Sequence, residues 1–317
     1  MQKTLISLIL APLCLVLAAN AQLKPSYFPQ DTEWMLQFDF KALCESPVLR
    51  LIESVMDEDA SRKLAALQAM YGVNLTNDLD TVVLCGKGGM QDGGGVLYAC
   101  GRFDVKRLTA LAGGAKEYSN AVIGEHSLIS WTDNGKRNHA CFIDPTLVVM
   151  SQDEAMAKQA VELIGGKAGG LAPDGFAKTL ERRKGRFAAL QSNKLSQLAS
   201  VNPQLAAMLG QAEALQLELG QLDDGKGLKL SLAVKSPNAE QAQQLSQTVL
   251  GLKALVMMQA QQQPEAAKLA QNIDVAQQDT YVSLNMKLPE DMLRQLIAAQ
   301  AGKPKDTKQG QPARPDF

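Results

Sequence analysis

The sequence predicts an α+β fold of two similar halves, each an antiparallel sheet covered by helices. Three observations predict it. Short apolar runs at period two alternate along the chain with amphipathic stretches at period 3.6. Asp92-Gly93 and Asp224-Gly225 each stand between two strand-like runs, where Asp-Gly signals a hairpin. The same order, strand–helix–hairpin–helix–strand–helix, can be read over residues 22–168 and again over 169–301. Laid over each other, Phe38–Leu43 falls opposite Gln191–Leu195 and Gly95–Phe103 opposite Gly227–Lys235, which suggests an internal duplication.

The first 21 residues read as a secretory signal peptide. Lys3 supplies a positive start, Leu5 to Leu17 an apolar stretch, and Ala19-Asn20-Ala21 the small residues before cleavage at Gln22. The apolar run is short for a membrane span, and Pro12 interrupts it. Cys14 lacks a small residue immediately before it, so lipidation is not expected. The chain is therefore expected to work outside the cytoplasm, in the periplasm or beyond, with no transmembrane segment after processing.

Glu33–Phe40 is the first strand, with Trp34, Leu36, Phe38 and Phe40 on one face. A helix follows from Lys41, restarted at Ser46-Pro47, and residues 57–70 form another, closed by Gly72. Thr81–Cys85 and Gly95–Cys100 make a hairpin around a glycine-rich connection. Asp104 caps a helix that reaches Ala112; strands follow at Ser127–Thr132, Ala140–Asp144 and Thr146–Met150, then a helix from Asp153 to Ile164. The glycine-rich residues 165–170 link the halves. In the second half come a strand at Arg186–Leu190, a helix from about Asn193 to Leu209, and a hairpin of alternating leucines, Leu215 to Leu219 and Leu228 to Val234. A long helix over 238–262, another from Pro264, a strand at Tyr281–Met286 and a last helix from Pro289 complete the order. Residues 302–317, rich in Lys, Gln, Pro and Gly, are expected to be a disordered tail.

A hydrophobic share of 46% with 21% charged residues belongs to a globular chain able to bury a core. The formal net charge of −1, with no basic block, argues against a nucleic-acid partner, which would require clustered cations to neutralise phosphates. Aromatic residues at 5% are too sparse for extensive stacking surfaces.

Catalytic patterns are weak throughout. The run Gly86–Gly95 lacks the order of a phosphate loop and joins two strands, so it reads as a hairpin tip. His126 and His139 are the only histidines, too few for a recognisable metal framework, and no serine sits in a G-x-S-x-G turn. No cofactor and no metal site is expected. Asp57–Asp59 reads as a helix start and Asp223-Asp224 as turn chemistry. Asn74-Leu75-Thr76 matches a glycosylation sequon, a short match that recurs by chance.

Two features carry more. If Asp92 and Gly93 are the central residues of their turn, Cys85 and Cys100 stand opposite each other and form a candidate disulfide. Free buried thiols, or pairing with Cys44 or Cys141, remain open alternatives. In the long helix Ala242, Leu245, Val249, Leu252 and Val256 repeat at alternating spacings of three and four, and Leu255, Met257 and Met258 widen the apolar surface. Leu245, Val249, Leu252, Leu255 and Val256 are the candidate interaction residues; packing on the chain's own sheet is the plainer reading.

Pro29-Gln30-Asp31-Thr32 entering the first strand, the Ser46-Pro47 helix start and the Gly101-Arg102-Phe103-Asp104 step give the chain a resemblance over roughly residues 25–300. It resembles uncharacterised exported proteins of Planctomycetes–Verrucomicrobia-type bacteria. That resemblance implies an exported protein and supplies no catalytic residues. The expected function is a secreted or periplasmic non-enzymatic role in protein binding, assembly or host interaction, with a protein or a second copy of the chain as partner. The alternative is a carboxylate-dependent hydrolase acting on envelope or extracellular polymers.

Overall fold

The computed structural model describes residues 23–55, 58–88, 94–172, 176–194, 209, 212–260, 262 and 264–301. The signal segment, the Asp92-Gly93 turn, most of the helix expected over 193–209 and the C-terminal tail lie outside them.

Among the described residues, twelve strands form one antiparallel sheet. They are β1 (Trp34–Asp39), β2 (Leu79–Gly86), β3 (Gly95–Gly101), β4 (Lys116–Ile123), β5 (His126–Asp133), β6 (Lys136–Asp144), β7 (Leu147–Ser151), β8 (Arg186–Ser192), β9 (Ala214–Gln221), β10 (Gly227–Lys235), β11 (Ile273–Gln278) and β12 (Tyr281–Pro289). Their spatial order is β11-β12-β10-β9-β8-β1-β2-β3-β7-β6-β5-β4. The helices are α1 (Phe40–Cys44), α2 (Pro47–Val55), α3 (Glu58–Tyr71), α4 (Val105–Gly113), α5 (Glu154–Ile164), α6 (Ala177–Leu180), α7 (Ala239–Met258), α8 (Pro264–Gln271) and α9 (Glu290–Ala301). Among the described residues, no helix is long and apolar enough to cross a membrane.

The expectation of a separate sheet in each half is corrected by the pairing of β1 with β8, from Trp34 opposite Ser192 to Phe38 opposite Ala188. On its other side β1 pairs with β2 and β8 with β9, each the next strand along the chain after an intervening segment. The β1–β8 pairing supplies the long-range join that no local pattern encodes.

Burial changes side along this sheet. From β1 to β5, one face carries Met35, Val83, Cys85, Val96, Tyr98, Val149, Cys141 and Leu128. Phe28, Phe176 and Ala160 pack against its centre, and Ala157 and Val161 of α5 against Leu128 and Cys141. The opposite face is apolar too, with Leu79, Ala99 and Val148 in one cluster and Ala112 of α4 on Ile129 and Ala140 in another. Across β8 to β12 the residues in register with Met35 and Gln37 are Gln191, Ala189, Gln216, Glu218, Ser231 and Asn285, a polar or small-residue face. The other side there holds Leu190, Leu215, Leu217, Leu232 and Val234, packed with Leu209 and with Leu245 of α7. Helices on one face, as expected, thus describe β9 to β12; β1 to β3 and β5 to β7 are covered on both, and the edge strand β4 is exposed.

Strand β1 departs from its apolar pattern. Met35, Gln37 and Asp39 are buried, whereas Phe38, on the face expected to point inward, is 39% exposed. With both neighbours of β1 paired, burial is set by what lies above and below, and period two identifies a face without saying which face is covered. Two strands escaped the sequence reading, β4 and β11. Both are sheet edges, and β4 is exposed along almost its whole length, so neither alternates clearly. The leucine hairpin β9–β10 forms as expected, with Gln221 opposite Leu228 and Gly225 in the left-handed region at φ 75°.

Candidate functional site

Helix α7 begins where Asn238 accepts a hydrogen bond from the Gln241 amide, a cap readable in the sequence. Its predicted seam then divides. Ala242 and Ser246 are buried, and Leu245 sits partly buried against Leu215 and Val234. Val249 and Val256 are half-buried, continuing that line over β11 and β12. Leu252 is 46% exposed, Leu255 56% and Met258 81%, with Leu250 at 48%. Leu252, Leu255 and Met258 are three residues apart and so lie side by side up one flank of the helix. Of the five candidate interaction residues, three therefore turn toward the sheet and two, Leu252 and Leu255, belong to an outward apolar strip that Met258 extends.

A second feature lies on the other face, where the segment before β1 crosses the end of β2. Pro29, Asp31, Thr32, Cys85, Gly86, Lys87, Met156 and Gln159 line a cavity of about 140 Å³, open at one side. The Thr32 hydroxyl donates to the Pro29 carbonyl at 2.6 Å, and Lys87 Nζ lies 3.3 Å from Asp31 Oδ2 at the rim. Beside it, Glu33 accepts from Lys194 Nζ at 2.6 Å and from the Gly88 amide at 2.9 Å; these bonds hold its carboxyl below the usual range. Trp34 Nε1 donates to the Gly88 carbonyl at 3.0 Å, so the start of the glycine-rich connection is anchored.

The two histidines separate. His126 stands opposite Ile123, whereas His139 stands opposite Ser130, with Ser130 Oγ and His139 Nδ1 2.8 Å apart. The pair has the contact of a nucleophile and base, but both residues are buried, and the first amides of α5 are already taken by Asp153. The contact ties β5 to β6. Among the described residues, no group of three or more His, Cys, Asp or Glu side chains is placed to hold a metal ion.

The Cys85–Cys100 disulfide is corrected by register. Gly86 pairs with Gly95, which sets Cys85 opposite Val96 and Cys100 opposite Thr81. The connection between the paired residues spans 87–94, so Asp92-Gly93 is not its midpoint. The two cysteines share a face but stand four positions apart, about 13 Å along the strands, beyond the roughly 7 Å limit between bridged Cα atoms. Cys44, Cys85, Cys100 and Cys141 are all free thiols. At the β1–β8 join, Arg182 grips Asp39 with two bonds of 2.9 Å, and Arg186 reaches Gln37 and Glu218. The sequence gives no signal for these contacts, because the partners are distant along the chain. Asn74 of the sequon uses its side-chain carbonyl to accept from the Thr76 and Asn77 amides.

No family model matches the sequence, and no curated protein matches it. Among solved structures, the fold is similar to crystal forms III and IV of TP0453, each 11% identical, with TM-scores of 0.50 and 0.51. The similarity covers 88% of this chain and 99% and 97% of those chains, and at that identity it is a likeness of fold alone.

Proposed function

We propose that this chain is an exported, non-enzymatic binding protein that engages another protein through the outer flank of α7. The observation that carries the reading is the strip Leu252, Leu255 and Met258. These are large apolar side chains left in water on a helix whose inner line is already buried. A contiguous exposed apolar strip on a helix that also exposes Gln243, Gln244 and Gln247 favours a partner groove that receives spaced anchors. The signal-like residues 1–21 support export, to the periplasm or beyond.

The architecture is read as an internal duplication. From the β1–β8 join the order runs β1-β2-β3-β7-β6 in one direction and β8-β9-β10-β12-β11 in the other, with β5 and β4 as an addition to the first set. That matching order supports the duplication more directly than the few aligned residues do.

The test is capture of partners from the source organism's envelope and culture-medium fractions by residues 22–317, beside L252S/L255S/M258S. Loss of a specific partner in the triple variant, with unchanged circular dichroism, is the expected result. Identical capture by both chains would refute the α7 surface. Self-association lost in the same variant would identify the partner as a second copy.

A further inference from the structure

The cavity between Pro29–Thr32, the end of β2 and α5 has its polar chemistry at the mouth and its apolar chemistry within. Lys87 and Asp31 meet at 3.3 Å across the rim, with side chains 61% and 55% exposed. An ion pair this open contributes at most about 1 kcal/mol, so its two members part at little cost. Behind them lie Pro29, Met156 and the Cys85 thiol, which when buried behaves as a small hydrophobe. The Thr32 hydroxyl is already committed to the Pro29 carbonyl at 2.6 Å. The free space of about 140 Å³ is close to that of a cavity which holds benzene, room for a side chain of a few carbons.

We propose that this cavity binds a free α-amino acid with a small apolar side chain. Its ammonium is received by Asp31, its carboxylate by Lys87, and its side chain rests on Pro29 and Met156. The charge pattern selects the zwitterion. A simple carboxylate or amine meets only one member of the Asp31–Lys87 pair, whereas a zwitterion exchanges one ion pair for two charge-assisted contacts. The site is independent of the α7 surface, which lies on the opposite face of the sheet.

The test is isothermal titration of residues 22–317 with L-valine, L-alanine and L-leucine, with isobutyrate and isobutylamine as single-charge comparators. Binding of at least one amino acid at one site per chain is expected, with both comparators at least tenfold weaker. D31N and K87Q, both at exposed positions, each weaken binding tenfold or more, and M156W, which fills the cavity, removes it. The proposal is overturned if none of the three amino acids binds at ~10 mM, which would saturate a Kd near 1 mM. Equal binding of either comparator overturns it, as does binding unchanged in D31N and K87Q.

Discussion

Ser130 Oγ and His139 Nδ1 meet at 2.8 Å across β5 and β6, and the imidazole that makes this contact is 5% exposed. Burial is the largest influence on His139 and pushes its pKa below the usual 6.5. Glu154 and Asp153 oppose that shift, while Arg137 and Lys158 reinforce it. The unfolded chain therefore binds a proton at a higher pH than the folded chain does. His139 favours the folded state fully above the unfolded pKa, and this contribution fades as pH falls from about 6.5 toward the lower folded value. Urea midpoints should drop between about pH 7 and pH 5.5 by more in the parent than in H139Q. Equal drops would show that other groups set the acid response.

Asp39 closes two contacts at the β1–β8 join. Its side chain is 7% exposed, accepts both bonds from Arg182, and accepts the Ala42 amide at 2.9 Å to cap α1. R182M leaves a buried carboxylate with its cap alone. The expected loss is about 2 kcal/mol, below the range for a fully buried pair because Arg182 is 43% exposed. D39N keeps the cap geometry and removes the charge that Arg182 answers. A double-mutant cycle measured by urea unfolding should give a favourable coupling; zero coupling would mean the arginine is ornamental to stability.

The thiols make a chemical prediction. Burial pushes Cys85 and Cys100 up to about 12 and Cys141 to about 11, and it also raises Cys44, helped by Glu53 and Glu45. Because the thiolate is the reactive species, iodoacetamide at about pH 8 should label Cys44 alone, and slowly, in the native chain. In urea without reductant, residues 22–317 should take up four labels. Two labels would restore a disulfide to the structure.

The hairpins, the helix caps at Asp104, Asp153 and Asn238, and the long α7 were readable because each rests on residues near in sequence. The edge strand β4 was not, since Lys116–Ile123 meets β5 on one side and water on the other, so its composition lacks alternation. Cys85 and Cys100 show how far one assumption travels. With Gly86 paired to Gly95, the two cysteines stand four positions past the register that a turn centred on Asp92-Gly93 would give them. In α7 the spacing located an apolar seam but could not say that Leu252 and Leu255 run beyond the sheet's cover, because that depends on where β11 and β12 lie beneath the helix. The cavity at Asp31 and Lys87 joins residues more than fifty positions apart, and no motif marks it.

The two sides of α7 should separate in stability measurements. Leu255 and Met258 are more than half exposed, so L255S and M258S should each change unfolding free energy by less than about 0.5 kcal/mol. Ala242 on the inner line is fully buried, and A242L forces extra methylenes against β11 and β12 at a cost of about 1–3 kcal/mol. Leu215, buried beneath the same helix, should cost about 2–4 kcal/mol as L215A through the cavity it leaves. The contrast matters more than any single value. If L255S destabilises the chain as much as L215A does, the outer strip is part of the protein's own core and the proposed binding surface is lost. If it is neutral in stability, the retention of Leu252, Leu255 and Met258 in water needs a reason outside the folded chain, and a partner supplies one.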